Sequence, residues 1–286
     1  MADPETGRTR SPKHALRSLE ICRAVLTELG CDFEMRETIA MLVRFHGRPS
    51  FLLEKESPEA ELIRMSWLLS NRLLYLFALA DTRGRDNRDT DRPEENLRLW
   101  PLVAEENNCF DRPFAFANDH PRFLWFRDRL SSIHYVPPEK HRCTVTLMSG
   151  LPGVGKDTWL ALNRPDLPIV TLDALRVELN IEPTENQGEV KQLGRERCRE
   201  HLRAGRNFAF NATNITRQTR DKWISLFTDY DARVETVYLE PPLSVIRKRN
   251  REREKPVPAN MIEKLFRRLE PPSLVECHAL SVEAGT

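Results

Sequence analysis

The run Gly150-Leu151-Pro152-Gly153-Val154-Gly155-Lys156-Asp157-Thr158 keeps every fixed position of the spacing G-x-x-x-x-G-K. Glycines in such a run let backbone N–H groups turn inward and approach phosphate oxygens closely. A helix opening at the lysine adds its N-terminus to the same anion. Lys156 itself can neutralise charge on a phosphoryl group in transit. Gly150, Gly153, Val154, Gly155, Lys156, Asp157 and Thr158 are therefore the residues expected to hold ATP or another nucleoside triphosphate. Asp157 stands where Ser or Thr normally touches Mg²⁺. A carboxylate is a good hard ligand for that ion, so the magnesium contact is expected from either Asp157 or Thr158.

A phosphate cradle alone does not separate kinases from motor or switch proteins, and three later segments bear on that choice. Val170-Thr171-Leu172-Asp173-Ala174-Leu175-Arg176 carries an acid at the carboxyl end of a strand. In a parallel sheet that position faces the ligand crevice. Asp173 could accept a proton there from an attacking hydroxyl, or it could cap the next helix. Arg176 lies three residues on, on the same helix face. Asn211-Ala212-Thr213-Asn214 ends the next strand in amides, where a motor ATPase would usually carry an acid. Asn214, Arg217 and Arg220 follow as groups that could hold an anionic acceptor, the two arginines otherwise being solvated helix residues. Finally, Arg247 to Pro258 is a basic cluster downstream of what reads as the last strand. Helical spacing puts Arg249 and Arg253 on one face and Arg247 and Arg251 on another. Such a segment could close as a lid over bound nucleotide, or form an exposed helix laced with Arg–Glu pairs.

These groups need a scaffold. Strand-like runs at 143–149, 168–172, 207–210 and 232–239 alternate with helical ones. That rhythm predicts an α/β domain, a parallel sheet with helices on both faces. Upstream the pattern is helical. Leu16, Leu19, Cys22, Val25, Leu26 and Leu29 recur at helical spacing before Gly30, and Ile39, Leu42 and Val43 do so before His46. The apolar stretch from Trp67 to Ala80 reads as one buried helix. Residues 82–96 are dense in charge and read as a solvated loop. Pro137-Pro138 cannot continue a helix. The expected division is therefore a helical domain over 1–130, a linker over 131–142 and the α/β domain over 143–286.

The segments GLPGVGKDTW, TLDALR, NATN and RNRER…VP together resemble the 5′-hydroxyl polynucleotide kinases, over about residues 143–278. That resemblance implies a P-loop kinase using ATP and Mg²⁺ on the 5′-OH ends of RNA or DNA. It implies Lys156 on the nucleotide, Asp173 activating the hydroxyl and Arg176 on the acceptor's phosphate. Arg249 and Arg253 would grip the donor phosphates. Asp157 departs from the family's more usual Ser. The residues alone leave two alternatives open: a kinase for a small metabolite or nucleoside, and an ATP-binding module without an acceptor.

LVRFHGRP followed by ALADTRGR resembles the later half of an HD-type metal-dependent phosphohydrolase. By that resemblance His14, His46 and Asp81 match later metal-site positions. The His and the His-Asp pair that name the family are expected upstream of these residues, so no working phosphohydrolase is expected. Read directly, His46 shares an apolar face with Ile39, Leu42 and Val43. Asp81 does so with Leu74, Phe77 and Ala78, where a carboxylate needs a partner or a metal.

Composition narrows little further. Across 286 residues, 44 Lys and Arg face 43 Asp and Glu, so bulk charge makes no case for nucleic acid. The six cysteines form no C-x-x-C pair and suit free thiols in a reducing compartment. The opening MADPETGRTRSPK has no apolar core of a signal peptide. No apolar run is long enough to span a bilayer. The expectation is a cytoplasmic protein with no membrane contact; oligomeric state is not legible.

Overall fold

The computed structural model describes residues 14–84, 91–182, 185–253 and 256–285. The chain divides into two compact units, Met1–Ala115 and Phe116–Thr286. The polar opening segment lies outside the described residues.

The first unit is helical: α1 (His14–Glu28), α2 (Phe33–Phe45), a 3₁₀ turn (Pro49–Glu54), α3 (Pro58–Ser66), α4 (Asn71–Arg83) and α5 (Asp91–Glu106). Its starts carry side-chain caps, with Asp32 accepting from the N–H of Met35 and Ser57 from that of Ala60. Leu62, Ile63, Leu74, Leu97 and Trp100 are buried at its centre. Arg23 of α1 makes a 2.7 Å ion pair with Glu37 of α2.

Two sequence expectations change here. The run from Trp67 to Ala80 is not one helix, because α3 stops at Ser66 and α4 starts at Asn71. Ser70 caps α4 by accepting from the N–H of Leu73, and buried Asn71 donates to the carbonyls of Leu62 and Cys109. Polar side chains thus turn the chain inside an apolar stretch. The expected loop over 82–96 falls partly on 85–90, outside the described residues, and from Asp91 onward it is helix α5.

The second unit is built on five parallel strands: β1 (Cys143–Ser149), β2 (Ile169–Thr171), β3 (Phe208–Asn211), β4 (Ala232–Glu240) and β5 (Ala279–Ala284). Their order is β2-β3-β1-β4-β5, with Leu147 of β1 opposite both Phe210 of β3 and Thr236 of β4. Between them run α6 (Asp119–Phe126) ahead of β1, then α7 (Lys156–Asn163), α8 (Leu172–Leu179), α9 (Gly188–Arg203), α10 (Arg217–Thr228), α11 (Leu243–Arg251) and α12 (Ala259–Arg267). Val145, Leu147, Phe208, Phe210 and Val234 are wholly buried, and the Phe210 ring lies 4.1 Å from that of Trp223. Burial of strands this complete is expected where helices cover a parallel sheet.

The boundary and the last strand both differ from the sequence reading. Residues 116–142 belong to the α/β unit, because Phe123 of α6 sits in its core and Arg122 donates to the carbonyl of Cys277. Glu139, in the expected linker, pairs with Arg233 of β4. A Pro-Pro step ends a helix without ending a domain. The basic segment follows β4, but β5 comes after it, at the sheet edge. No helix among the described residues is long and apolar enough to cross a membrane.

Candidate active site

β1 ends at Ser149, and the next residues turn in backbone conformations open mainly to glycine. Gly150 has φ +143° and Gly155 φ +100°. A Cβ on Gly150 would stand 2.6 Å from the carbonyl oxygen of Leu239, so the turn passes too close to β4 for any side chain. The N–H of Gly150 donates to the carbonyl of Thr213 at 2.9 Å, which ties the loop to the end of β3. Lys156 opens α7, so a helix N-terminus faces the loop.

Lys156 is buried, and its Nζ donates to the carbonyls of Gly150 at 3.0 Å and Leu151 at 2.9 Å. Burial draws its pKa down to about 8, Arg253 pushes it the same way, and Asp157 and Asp173 act against them. Asp157 accepts a hydrogen bond from Asn211 Nδ2 at 2.7 Å. The other amide atom, Asn211 Oδ1, is buried with no hydrogen-bond partner. An oriented carboxylate beside an unsatisfied amide oxygen is an oxygen-rich donor set suited to a hard cation. Thr158 lines the same cleft.

Across the loop, α8 starts at the end of β2. Its cap is Thr171, which accepts from the N–H of Asp173, so Asp173 is not the cap. The Asp173 side chain is 86% exposed and ion-paired with Arg176, one turn on. Arg176 Nε also donates to Gln187 Oε1 at 2.6 Å, which fixes the guanidinium from a second side. One cleft of about 1420 Å³ is lined by Lys156, Asp157, Asp173, Arg176, Arg249 and Arg253 among others.

Arg249 of α11 donates to the carbonyl of Val154 at 3.1 Å, which holds it over the phosphate loop. The helix ends at Arg251, so Arg253 lies past the C-cap Glu252 and not one turn further along a continuous face. Both arginines still line the cleft. Glu254 and Lys255, in the expected lid, lie outside the described residues. Beyond them buried Asn250 clamps the returning chain, donating to the carbonyl of Val257 and accepting from its N–H. Arg247 is an outward pair with Glu263.

Three expected acceptor groups sit elsewhere. Asn214 is buried and donates to the carbonyl of Met148, bracing the loop from behind. Arg220 is wholly buried in a two-pronged pair with Glu276, at 2.8 and 3.0 Å, and also donates to the carbonyls of Asn214 and Glu270. Arg217 lines a separate hollow with Arg127 and Asp221. Of the NATN segment, Asn211, Ala212 and Thr213 line the cleft, and Asn214 is the strap behind it. Long-range partners decided this, and local spacing does not reveal them.

In the helical unit, the exposed His14 ring stands edge-on to His46 at 6.0 Å, and His46 Nδ1 lies 2.8 Å from the carbonyl of Val43. With Asp81 they are not among the groups of ligand atoms that converge closely enough for a metal ion; among the described residues His120, His141 and His278 converge instead. Buried His278 accepts the Val234 N–H at Nδ1, so the neutral ring carries its proton on Nε2. Nε2 faces His120 Nδ1 at 3.5 Å and offers a proton there, not a lone pair. His120 and His278 thus stack within hydrogen-bond distance, with the His141 ring edge-on to both, where α6, the segment before β1 and the residue preceding β5 meet. His141 Nε2 comes within 3.1 Å of Glu139 but is misaligned for a hydrogen bond, so it counts as buried without a partner.

Residues 145–272 match a family model described as an AAA domain. No curated protein matches the sequence significantly. Among solved structures, the chain is similar to a sugar kinase from Janibacter sp. HTCC2649 at 20% identity, covering 50% of this chain and 85% of that one with a TM-score of 0.38. A second is described as a putative kinase from Chloroflexus aurantiacus, at 15% identity over 50% of this chain and 89% of that one, with a TM-score of 0.42. A third, titled as the Pnkp1/Rnl/Hen1 RNA repair complex, has 19% identity over 49% of this chain and 47% of that one, also at 0.42. The second unit is a parallel α/β domain with a glycine-rich loop between its first strand and the helix that follows, and a helical region precedes it in the chain.

Proposed function

We propose that the α/β unit transfers the γ-phosphoryl group of ATP, with Mg²⁺, to the 5′-OH end of RNA or DNA. The observation that carries this reading is the Asp173–Arg176 pair lining one cleft with Lys156. A carboxylate can take a hydroxyl proton, and a guanidinium beside it can hold a phosphate. A polynucleotide end presents a hydroxyl and a phosphate together and so suits this pair.

In this reading Lys156, Arg249 and Arg253 hold the donor phosphates through the transfer, and Asp173 receives the hydroxyl proton. Asp157, oriented by Asn211, or Thr158 would hold Mg²⁺, which supplies charge neutralisation on the phosphates. The domain contributes positioning and fixed charge more than covalent chemistry. The cleft exceeds the few hundred to about a thousand Å³ of ordinary small-ligand pockets, which leaves room for a polymer end beside ATP. The helical unit is read as resembling the later half of an HD-type domain. The free cysteines fit a cytoplasmic setting.

The test is transfer of labelled γ-phosphate to short 5′-OH RNA and DNA oligonucleotides, with Lys156→Ala and Asp173→Ala alongside. Label lost in both variants supports the reading. Intact ATP binding with no label on any oligonucleotide overturns it, and label on a sugar or nucleoside would replace it with a metabolite kinase.

A further inference from the structure

Two helices present one face each to the cleft. From α7 these include Thr158, Trp159, Leu162 and Asn163; from α8, Asp173, Arg176 and Val177, with the C-cap Asn180 just past its end. Both sets recur at helical spacing. Each face carries an aliphatic residue that the fold leaves open: Leu162 is 77% exposed and Val177 82%. Single exposed aliphatics are ordinary on a protein surface. These two line a concave site, with half-buried Trp159, beside the acid and the arginine of the acceptor side.

The order along α8 is informative. Asp173 and Arg176 come first, Val177 follows the acid by one turn, about 6 Å along the axis, and Asn180 is the C-cap just past the helix end. Acid, guanidinium, apolar surface and amide thus succeed one another over the length of a nucleoside. A polyhydroxylated acceptor needs hydrogen-bonding groups around its whole rim. A nucleotide end needs a polar place for its hydroxyl and phosphate and an apolar place for a flat base.

We infer that Leu162 and Val177, with Trp159, form a platform on which the acceptor's 5′-terminal nucleobase packs while its hydroxyl meets Asp173. This inference rests on the reading of Asp173 and Arg176 as the acceptor side. It adds that the enzyme recognises the terminal base by shape and apolar contact, hence with little preference among the four bases. Stacking of this kind tolerates sequence because every base has a π-face.

The experiment uses the full chain and 5′-OH oligonucleotides whose terminal nucleotide carries adenine, 2-aminopurine or no base. The wild type should use the abasic end at least tenfold less well in kcat/KM than the adenine end, and should quench 2-aminopurine emission on binding. In the Leu162→Ala/Val177→Ala variant the abasic discrimination should shrink to within about threefold, and quenching should largely vanish. Both side chains are exposed, so truncation removes no core, and unchanged far-UV circular dichroism with retained ATP binding checks this. Transfer by the wild type that is equally fast to abasic and base-bearing ends, without quenching, overturns the platform and leaves the kinase reading standing. Absence of transfer to every oligonucleotide overturns both.

Discussion

Asn211 Nδ2 and Asp157 Oδ1 meet at 2.7 Å, a bond that joins the end of β3 to the first turn of α7. It occupies one oxygen of the carboxylate and fixes the direction of the other. With Asn211→Ala, Asp157 should lose that orientation while its charge remains. Half-saturating Mg²⁺ in the transfer assay should rise several-fold, with a smaller effect at saturating metal. Asp157→Ser restores the hydroxyl usual at this position and should keep more activity than Asp157→Ala. Equal Mg²⁺ requirement in all four proteins would move the metal contact to Thr158.

Lys156 should give the proposed ATP binding a pH signature. Its pKa of about 8 lies below the ordinary lysine value because the ammonium is buried. Below pH 8 the free protein already carries the charge that phosphates attract. Above it a proton must be taken up on binding, so affinity should fall about tenfold per pH unit from pH 8 upward. Calorimetry at pH 7 and 9, in buffers of different ionisation heat, should show proton uptake only at the higher pH. Nucleotide-free stability should move the other way. Between pH 8 and 10.5 the unfolded chain keeps a proton that the native lysine has lost, so this residue's contribution to stability rises with pH there.

Arg220 and Glu276 are a structural pair, and their loss should read as instability. Arg220→Met leaves the Glu276 carboxylate buried without its cation, a change that typically costs about 3–5 kcal/mol. It also releases the carbonyls of Asn214 and Glu270. Urea unfolding should show the loss directly. Transfer by the fraction still folded should stay within a few-fold of wild type, which a residue touching the acceptor would not allow.

Acid should loosen the domain through His278. Burial, then the nearby His141, Arg233 and His120, holds its pKa down to about 3; Asp119 opposes them. His120 is also lowered, chiefly by burial. The unfolded chain binds protons below about pH 6.5 that the native histidines refuse, so stability is full above that pH and falls towards pH 3. From pH 7 to 5 the loss through His278 should be about 2 kcal/mol. His278→Asn keeps an acceptor for the Val234 N–H and removes the titration, so its unfolding midpoint in urea should depend less on pH over that interval.

Local signals carried most of what the sequence showed. The glycine spacing and the strand that precedes it located the loop, because both are set by neighbours a few residues away. Asp173 and Arg176 could be paired for the same reason, being one helical turn apart. Asn211 and Arg220 were misread or passed over because their partners, Asp157 and Glu276, lie more than fifty residues away. The edge strand β5 went unseen: Ser281 and Glu283 are exposed, and the run resembles a polar tail. The early domain boundary was equally hidden, since only the packed sheet shows that Phe123 belongs beneath it.

The two bonds from Lys156 Nζ to Gly150 and Leu151 mean that the loop is already occupied, by its own side chain. One N–H of the ammonium is left for an entering anion, and a ligand that needs more must compete with those carbonyls. A lone phosphate or sulfate, with few contacts to offer in exchange, gains little by displacing them. A triphosphate, which in the proposed mode would also meet Arg249, Arg253 and the helix N-terminus, should gain enough. The resting lysine should therefore favour longer polyphosphates, and free inorganic phosphate should be a poor inhibitor of this site.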